Sequence, residues 1–319
     1  MKNAITDVSG IKIGHESDFQ GFTGCTVILC ESGATGGIDI RGTASGTRQV
    51  DSLNPLHLVP YVHAVCIAGG SAYGLDASSG VMKFLEEKGI GLEFLVGKVP
   101  IVPSAVLFDL FFGDPKARPH KEMGYRACQN ATDGKVEEGS VGAGTGATVG
   151  KVFTVRQAMK GGVGTASEKL HGGVVVGALA VVNSYGDVID SKTGEILAGA
   201  RKSPDSMEFA ETRLVFREGR EREVNPGQST TIGVIATDAA LTKADATKVA
   251  QMAQDGIARV ISPSHTIYDG DVTFALSLGD RRAQVTTIGL VAAELLAEAI
   301  VRGVKSAEGF GKIPTWKDR

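Results

Sequence analysis

Apolar residues in this chain fall into short continuous runs bounded by Gly, Ser, Asn and Pro, and only rarely into alternating stripes. Residues 23–31 (TGCTVILCE) and 60–68 (PYVHAVCIA) are two such runs and predict strands. HGGVVVGALAVVN predicts a long buried strand, and SYGDVID a turn leading into another. TTIGVIATDA and residues 272–278 (VTFALSL) complete the set. Longer segments with helical spacing lie between them. One opens at Gly69-Gly70-Ser71 and runs to about Gly89, with Leu75, Val81, Met82, Phe84 and Leu85 as its apolar positions. A second spans about Thr242 to Val260 and carries Ala246, Val249, Ala250, Ala253, Ile257 and Ala258 on or near one face. A third covers 286–304, and Tyr125–Ala131 belongs to a short one.

Four stretches break the pattern. VPIVPSAVLFDLFFGD holds two prolines in an apolar run, which predicts an irregular buried segment or an edge strand. Residues 139–150 (GSVGAGTGATVG) resemble a phosphate-binding loop, but no GK[ST] follows, so a strand with close backbone packing is expected. Residues 197–228 are polar and charged and read as an exposed connector interrupting the core. The closing GKIPTWKDR reads as a tail. No repeat period recurs. Strands interleaved with Ala- and Gly-rich helices predict an α/β layered architecture, helices covering stacked sheets.

Composition narrows the function. The 319 residues are 42% hydrophobic, which supports a sizeable core. The net charge is −3 with both signs interspersed, so no nucleic-acid partner is expected. The N-terminus has no apolar signal region, and the apolar runs are too short to span a bilayer; a soluble, cytoplasmic protein is expected. Cys25, Cys30, Cys66 and Cys128 lack CxxC spacing and are expected to be buried thiols.

Candidate chemistry concentrates at Gln228-Ser229-Thr230-Thr231, where the solvated connector meets a buried strand. A cut before Thr230 would give that residue a hydroxyl and an α-amine of pKa about 7.7–8.0, a nucleophile with its own general base. On chemistry alone Ser229, Thr230 and Thr231 are equal candidates, and β-branched strand residues need no function. Asp269-Gly270-Asp271 places two carboxylates on one side of an extended segment, suited to holding an ammonium or orienting a hydroxyl; an acidic turn is the plain alternative. The rest of a calcium loop is missing, so no metal is expected. His265 reads as a structural hydrogen-bonder in preference to a base. Asn183 ends an apolar strand and is either an oxyanion-hole donor or the start of a turn. Lys151, after the glycine-rich stretch, either holds a carboxylate or is an ordinary strand-end lysine.

These segments together resemble the DmpA/NylC family of self-cleaving N-terminal-nucleophile hydrolases. The resemblance runs through NAITDVSGIKIGH, RGTASGTRQVD, GGSAYGLDA, VGAGTGATVGK, KGGVGTAS, TTIGVIATDA and SHTIYDGD. It implies a layered αββα sandwich of the DmpA/ornithine acetyltransferase-like type, a single catalytic domain over 1–319, and processing into 1–229 and 230–319. Family members cleave six residues before the Ala of an ATDA-type segment, which here is Ala236, so the resemblance selects Thr230. The paired acids fall on Asp269 and Asp271, the asparagine on Asn183, and the lysine on Lys151, with Lys160 as the competing assignment. The Thr-type, NylC-like branch is the nearer one, yet Ser229 stands where that branch has Asn before the nucleophile.

The resemblance implies hydrolysis of short peptide-like amides or amino-acid oligomers without a cofactor, in a tetramer of processed heterodimers. Two alternatives stand beside it: an acyltransferase using the same acyl-Thr intermediate, and an unprocessed, non-enzymatic family member.

Overall fold

The computed structural model describes residues 1–222 and 227–319. Nine strands form its main sheet system: β1 (Lys12–Asp18), β2 (Thr23–Ile40), β3 (Gly46–Arg48), β4 (Val62–Ala68), β5 (Ser104–Val106), β6 (Gly162–Lys169), β7 (Val175–Asn183), β8 (Thr230–Ala239) and β9 (Val272–Arg281). Their order is β6-β7-β8-β9-β2-β4-β5-β3, with β1 also paired to β2. The long strand β2 belongs to two sheets. Its first half pairs with β1 and β4, and its second half, Thr35–Ile40, pairs with β9.

The side chains sort into three apolar layers that define the sandwich. Between the sheets, Ile28, Val65 and Ile67 meet Leu179, Val181, Ile232, Val234, Phe274 and Leu276. Outside one sheet, Val27, Leu29 and Cys66 pack on α1 (Ala77–Glu87) and α2 (Lys121–Gln129). Outside the other, Val176, Ala178, Ala180 and Ile235 pack on α4 (Lys243–Val260) and α5 (Val285–Ser306). The fold is a layered αββα sandwich. Alternate residues of β7 serve opposite layers, and both layers are dry, so the strand reads as a continuous apolar run. Each fully buried Val, Leu or Ile side chain contributes about 1.5–3 kcal/mol.

The helices sit close because small residues line the contact. A Cβ on Gly164 of β6 would lie 2.0 Å from the Ala299 carbonyl oxygen of α5. The start of α4 is set by Thr242, whose hydroxyl accepts from Asp245 N–H while the Asp245 carboxylate accepts from Thr242 N–H.

The expected strands and long helices are present, with shifted boundaries. Gly69–Asp76 enters α1 through a 3-10 turn over Ser71–Asp76, and the short helix begins at Lys121, ahead of Tyr125. The proline-rich apolar stretch is mostly irregular and buried, with β5 in its interior and its first residue, Val99, ending a short strand Gly97–Val99. All four cysteines are buried free thiols.

Two expectations need correction. The glycine-rich stretch 139–150 is mostly not a strand: it forms a 3-10 turn over Gly142–Gly144, and its one strand is the short Thr148–Val149. Gly139 and Gly142 have φ of +89° and +51°, which extended backbone does not allow. Its close packing is real, since a Cβ on Gly142 would lie 2.4 Å from Thr26 Oγ1.

Nor is 197–228 simply an exposed connector. It contains a strand (Ile196–Ala198) and α3 (Thr212–Arg217), with Ala200, Arg201, Thr212 and Val215 buried. Part of it is anchored from outside the stretch: the buried Asp187 accepts from the N–H groups of Ala200 and Thr212 and from Thr212 Oγ1. Residues 223–226 of this stretch lie outside the described residues. The closing residues end in a short 3-10 turn, Trp316–Asp318, capped by Thr315.

Candidate active site

Strand pairing brings the candidate residues together at one end of the sheet. Asn183, the last residue of β7, is the antiparallel partner of Thr230, the first of β8. On the other side β8 runs parallel to β9, and an isolated parallel bridge joins Ser229 to Asp269. Thr230 therefore lies between Asn183 and the Asp269-Gly270-Asp271 segment. Ser229, Thr230, Asn183, Asp269 and Asp271 are all buried.

The Thr230 hydroxyl donates to the carbonyl oxygen of Ser229 at 2.6 Å, the carbonyl of the peptide bond preceding it. Gly270 N–H donates to that same oxygen at 2.8 Å. Only glycine fits between the two acids: a Cβ there would lie 2.9 Å from Thr230 Oγ1 and 2.7 Å from the Ala44 carbonyl oxygen.

The two carboxylates are held separately. Asp271 Oδ1 accepts from Thr231 N–H at 2.7 Å, and its Oδ2 accepts from His265 N–H and Nδ1. Asp269 Oδ1 accepts from Tyr185 N–H, and its Oδ2 from the N–H and Oγ1 of Thr266. Burial, and then the neighbouring charge of Asp271, push Asp269 up to about 6. Tyr185 stacks on Tyr268 with ring centroids 4.6 Å apart, which braces the turn carrying Asp269.

Lys151 Nζ donates to both the backbone oxygen and Oδ1 of Asn183, at 2.8 Å each. Asn183 Oδ1 also accepts from Thr148 N–H, so the amide is fixed with its nitrogen turned away, donating one hydrogen to the Phe108 carbonyl at 3.0 Å. Its second N–H remains for another acceptor. Burial pushes Lys151 down to about 7, with Asp269, Asp109 and Asp271 pulling the other way. Lys160 does different work. It is fully buried, and its Nζ donates to the carbonyls of Gly144, Ala147 and Gly161, tying down the glycine-rich turn.

A cleft of about 380 Å³ opens beside Lys151, walled by Phe108, Phe111, Phe112 and Phe153. Gln228, two residues before Thr230, lines it too, so the cleft lies on the acyl side of the Ser229–Thr230 bond. Its floor includes Asp109, whose carboxyl burial pushes up to about 6 and which accepts from Thr23 Oγ1 and Gly70 N–H.

Thus Thr230, Asp269, Asp271, Asn183 and Lys151 converge, and Lys160 stands apart from Asn183. Sequence reasoning missed Gly270, Thr266, Tyr185 and the four phenylalanines. Gly270 carried the one usable signal, a glycine enclosed by two acids next to a candidate nucleophile.

The profile of Peptidase family S58 matches residues 3–313, and the chain belongs to that family of hydrolases acting on amide bonds. An uncharacterised aminopeptidase of Mycobacterium leprae (strain TN) is 42% identical, covering 98% of this chain and 93% of its own. A 6-aminohexanoate-oligomer endohydrolase of Paenarthrobacter ureafaciens is 31% identical over 94% of this chain and 85% of its own. Among solved structures, the Burkholderia sp. beta-aminopeptidase aligns with a TM-score of 0.73 at 21% identity, covering 99% of this chain and 90% of that one. The L-aminopeptidase D-Ala-esterase/amidase of Ochrobactrum anthropi, described as a new variant among the Ntn hydrolase fold, aligns at 0.72 and 21% identity, covering 96% and 87%. These two likenesses speak for the fold.

Proposed function

We propose that the chain cuts itself between Ser229 and Thr230, and that Thr230 then hydrolyses short peptide-like or amino-acid oligomer amides through an acyl-enzyme. One observation carries this reading: the Thr230 hydroxyl rests on the carbonyl of its own preceding peptide bond, and Gly270 N–H polarises the same oxygen.

In the cut, Thr230 Oγ1 attacks the Ser229 carbonyl carbon and its proton passes to the departing Thr230 nitrogen. The C–N bond breaks, and Ser229 is left as an ester on Oγ1. Water hydrolyses the ester, freeing the Ser229 carboxylate and the Thr230 hydroxyl and amine. In turnover the same oxygen attacks a substrate carbonyl, while the α-amine takes its proton and delivers it to the leaving amine. Water then releases the acyl group. Asp269 and Asp271 orient the hydroxyl and amine, the second Asn183 N–H stabilises the oxyanion, and Lys151 holds Asn183 in place. No step in this scheme calls for a cofactor.

The fragments 1–229 and 230–319 would remain one catalytic unit, because β8 and β9 of the second lie between β7 and β2 of the first. Assembly into a tetramer of such pairs and a cytoplasmic location belong to the same proposal. Ser229 in place of the expected Asn bears on the speed of the cut and leaves the nucleophile in place.

Mass analysis of denatured protein is expected to show two pieces divided between Ser229 and Thr230. The protein should hydrolyse at least one of α-peptides, β-peptides, D-amino-acid amides or 6-aminohexanoate oligomers. An intact chain that is fully active, and equally active as Thr230→Ala, overturns the reading.

A further inference from the structure

The loop before the paired acids holds a histidine that the scheme above leaves unused. His265 has φ of +54°, a left-handed conformation uncommon for a non-glycine residue. Asp271 anchors it. The His265 backbone N–H and ring Nδ1 both donate to Asp271 Oδ2, at 3.2 and 2.8 Å. The ring is largely buried, and its Nε2 has no partner among the described residues.

Two donors on one oxygen fix the rotation of the Asp271 carboxylate. Its other oxygen then meets Thr231 N–H at 2.7 Å. Thr231 follows the proposed nucleophile, so this contact sets where β8 begins and which way Thr230 faces. A chain of three contacts runs from His265 through Asp271 to the backbone beside Thr230.

We propose that His265 is a positioning residue: by gripping Asp271 through Nδ1 and its own backbone N–H, it keeps Thr230 aligned on the carbonyl it attacks. The inference rests on Thr230 being the nucleophile. His265 itself touches neither Ser229 nor Thr230 in the hydrogen-bond network, and it transfers no proton.

The left-handed backbone makes the test separable. His265→Gly keeps the backbone conformation and removes the ring. His265→Asn also tolerates that conformation and places an N–H where Nδ1 stood. Each variant is followed for the rate of appearance of the two fragments, for kcat and KM after cutting, and for its unfolding temperature. The glycine variant is expected to cut itself and turn over at least tenfold more slowly, with KM within about twofold of the parent. His265→Asn is expected to recover most of both rates. Parental rates in His265→Gly, or an asparagine variant no better than glycine, overturn the proposal. Should His265→Gly fail to fold, the comparison passes to His265→Asn against His265→Asp, which differ only in presenting an N–H or a carboxylate to Asp271. Slower cutting by the aspartate variant supports the grip, and equal rates overturn it. A parent chain that never cuts, or a fully active Thr230→Ala, sinks the nucleophile assignment instead, whatever the histidine series shows.

Discussion

Lys151 reaches Asn183 at two atoms, donating to its backbone oxygen and its side-chain oxygen at 2.8 Å each. That double contact makes the lysine the support of a candidate oxyanion donor. It also separates Lys151 from Lys160, whose donors go to three backbone carbonyls around the glycine-rich turn.

Lys151→Met should therefore lower kcat by about a hundredfold, the loss seen when an oxyanion donor is displaced. Stability should move the other way. Burial holds Lys151 at about 7, below its ordinary 10.5, so its charged form costs stability in full below pH 7. The cost fades as pH rises toward the ordinary value. The unfolding temperature of Lys151→Met relative to the parent should be most favourable below pH 7 and should lose that advantage by about pH 10. Thermal scans across that range check it.

On the proposed scheme Asp269 sets the pH dependence of the cut. Asp269 is pushed up to about 6, so its carboxylate form, which accepts from Tyr185 and Thr266, is lost as pH falls through that value. The uncut chain has no free amine at Thr230, so the cutting rate should rise through about pH 6 and then level. If the Thr230 α-amine is the base for substrate hydrolysis, as proposed, that reaction's rising limb should lie higher, toward about 7.7–8.0. Timed mass analysis and initial rates across pH 5–9, a span of about four units around these values, compare the two limbs. Coincident limbs would count against the amine as base.

Gly270→Ala should stop the cut. Its new methyl would meet both Thr230 Oγ1 and the Ala44 carbonyl oxygen. The expected product is a folded chain of uncut mass, checked by circular dichroism beside the mass measurement. A variant that cuts at the parental rate would mean that the hydroxyl does not need its observed position.

The phenylalanine-walled cleft should choose the acyl half of the substrate. Phe153→Ala is expected to lower kcat/KM about tenfold or more for amides of large apolar acyl residues, and much less for amides of glycine. Paired anilides of one leaving group measure the ratio. An equal loss on both would place the acyl group elsewhere.

How much of this was legible in the chain depended on what each residue's neighbours did. β7 and β8 read clearly because both faces are dry, so a run such as VVGALAVVN admits little else. The stretch around Gly142 did not, because sequence shows glycine but not the sign of φ. Polarity misled at 197–228, where Thr212 turns inward to donate to the buried Asp187 ahead of the stretch. At the site, the residue types at 183, 230, 269 and 271 were visible. Their convergence comes from strand register, which pairs Asn183 with Thr230 across 47 positions of chain. Lys151 and Lys160 were alike as sequence, and only the partners of each ammonium divide them.

The sheet order carries one more consequence. β8 and β9 are threaded between β7 and β2, and Thr230 gains Asn183 on one side and Gly270 on the other only when those strands have zipped into register. A chain with the sheet unclosed has no carbonyl clamp and no aligned hydroxyl. Self-cutting would then act as a checkpoint on assembly: the bond breaks only in molecules already folded correctly around it, and misregistered chains keep their nucleophile locked in a peptide bond.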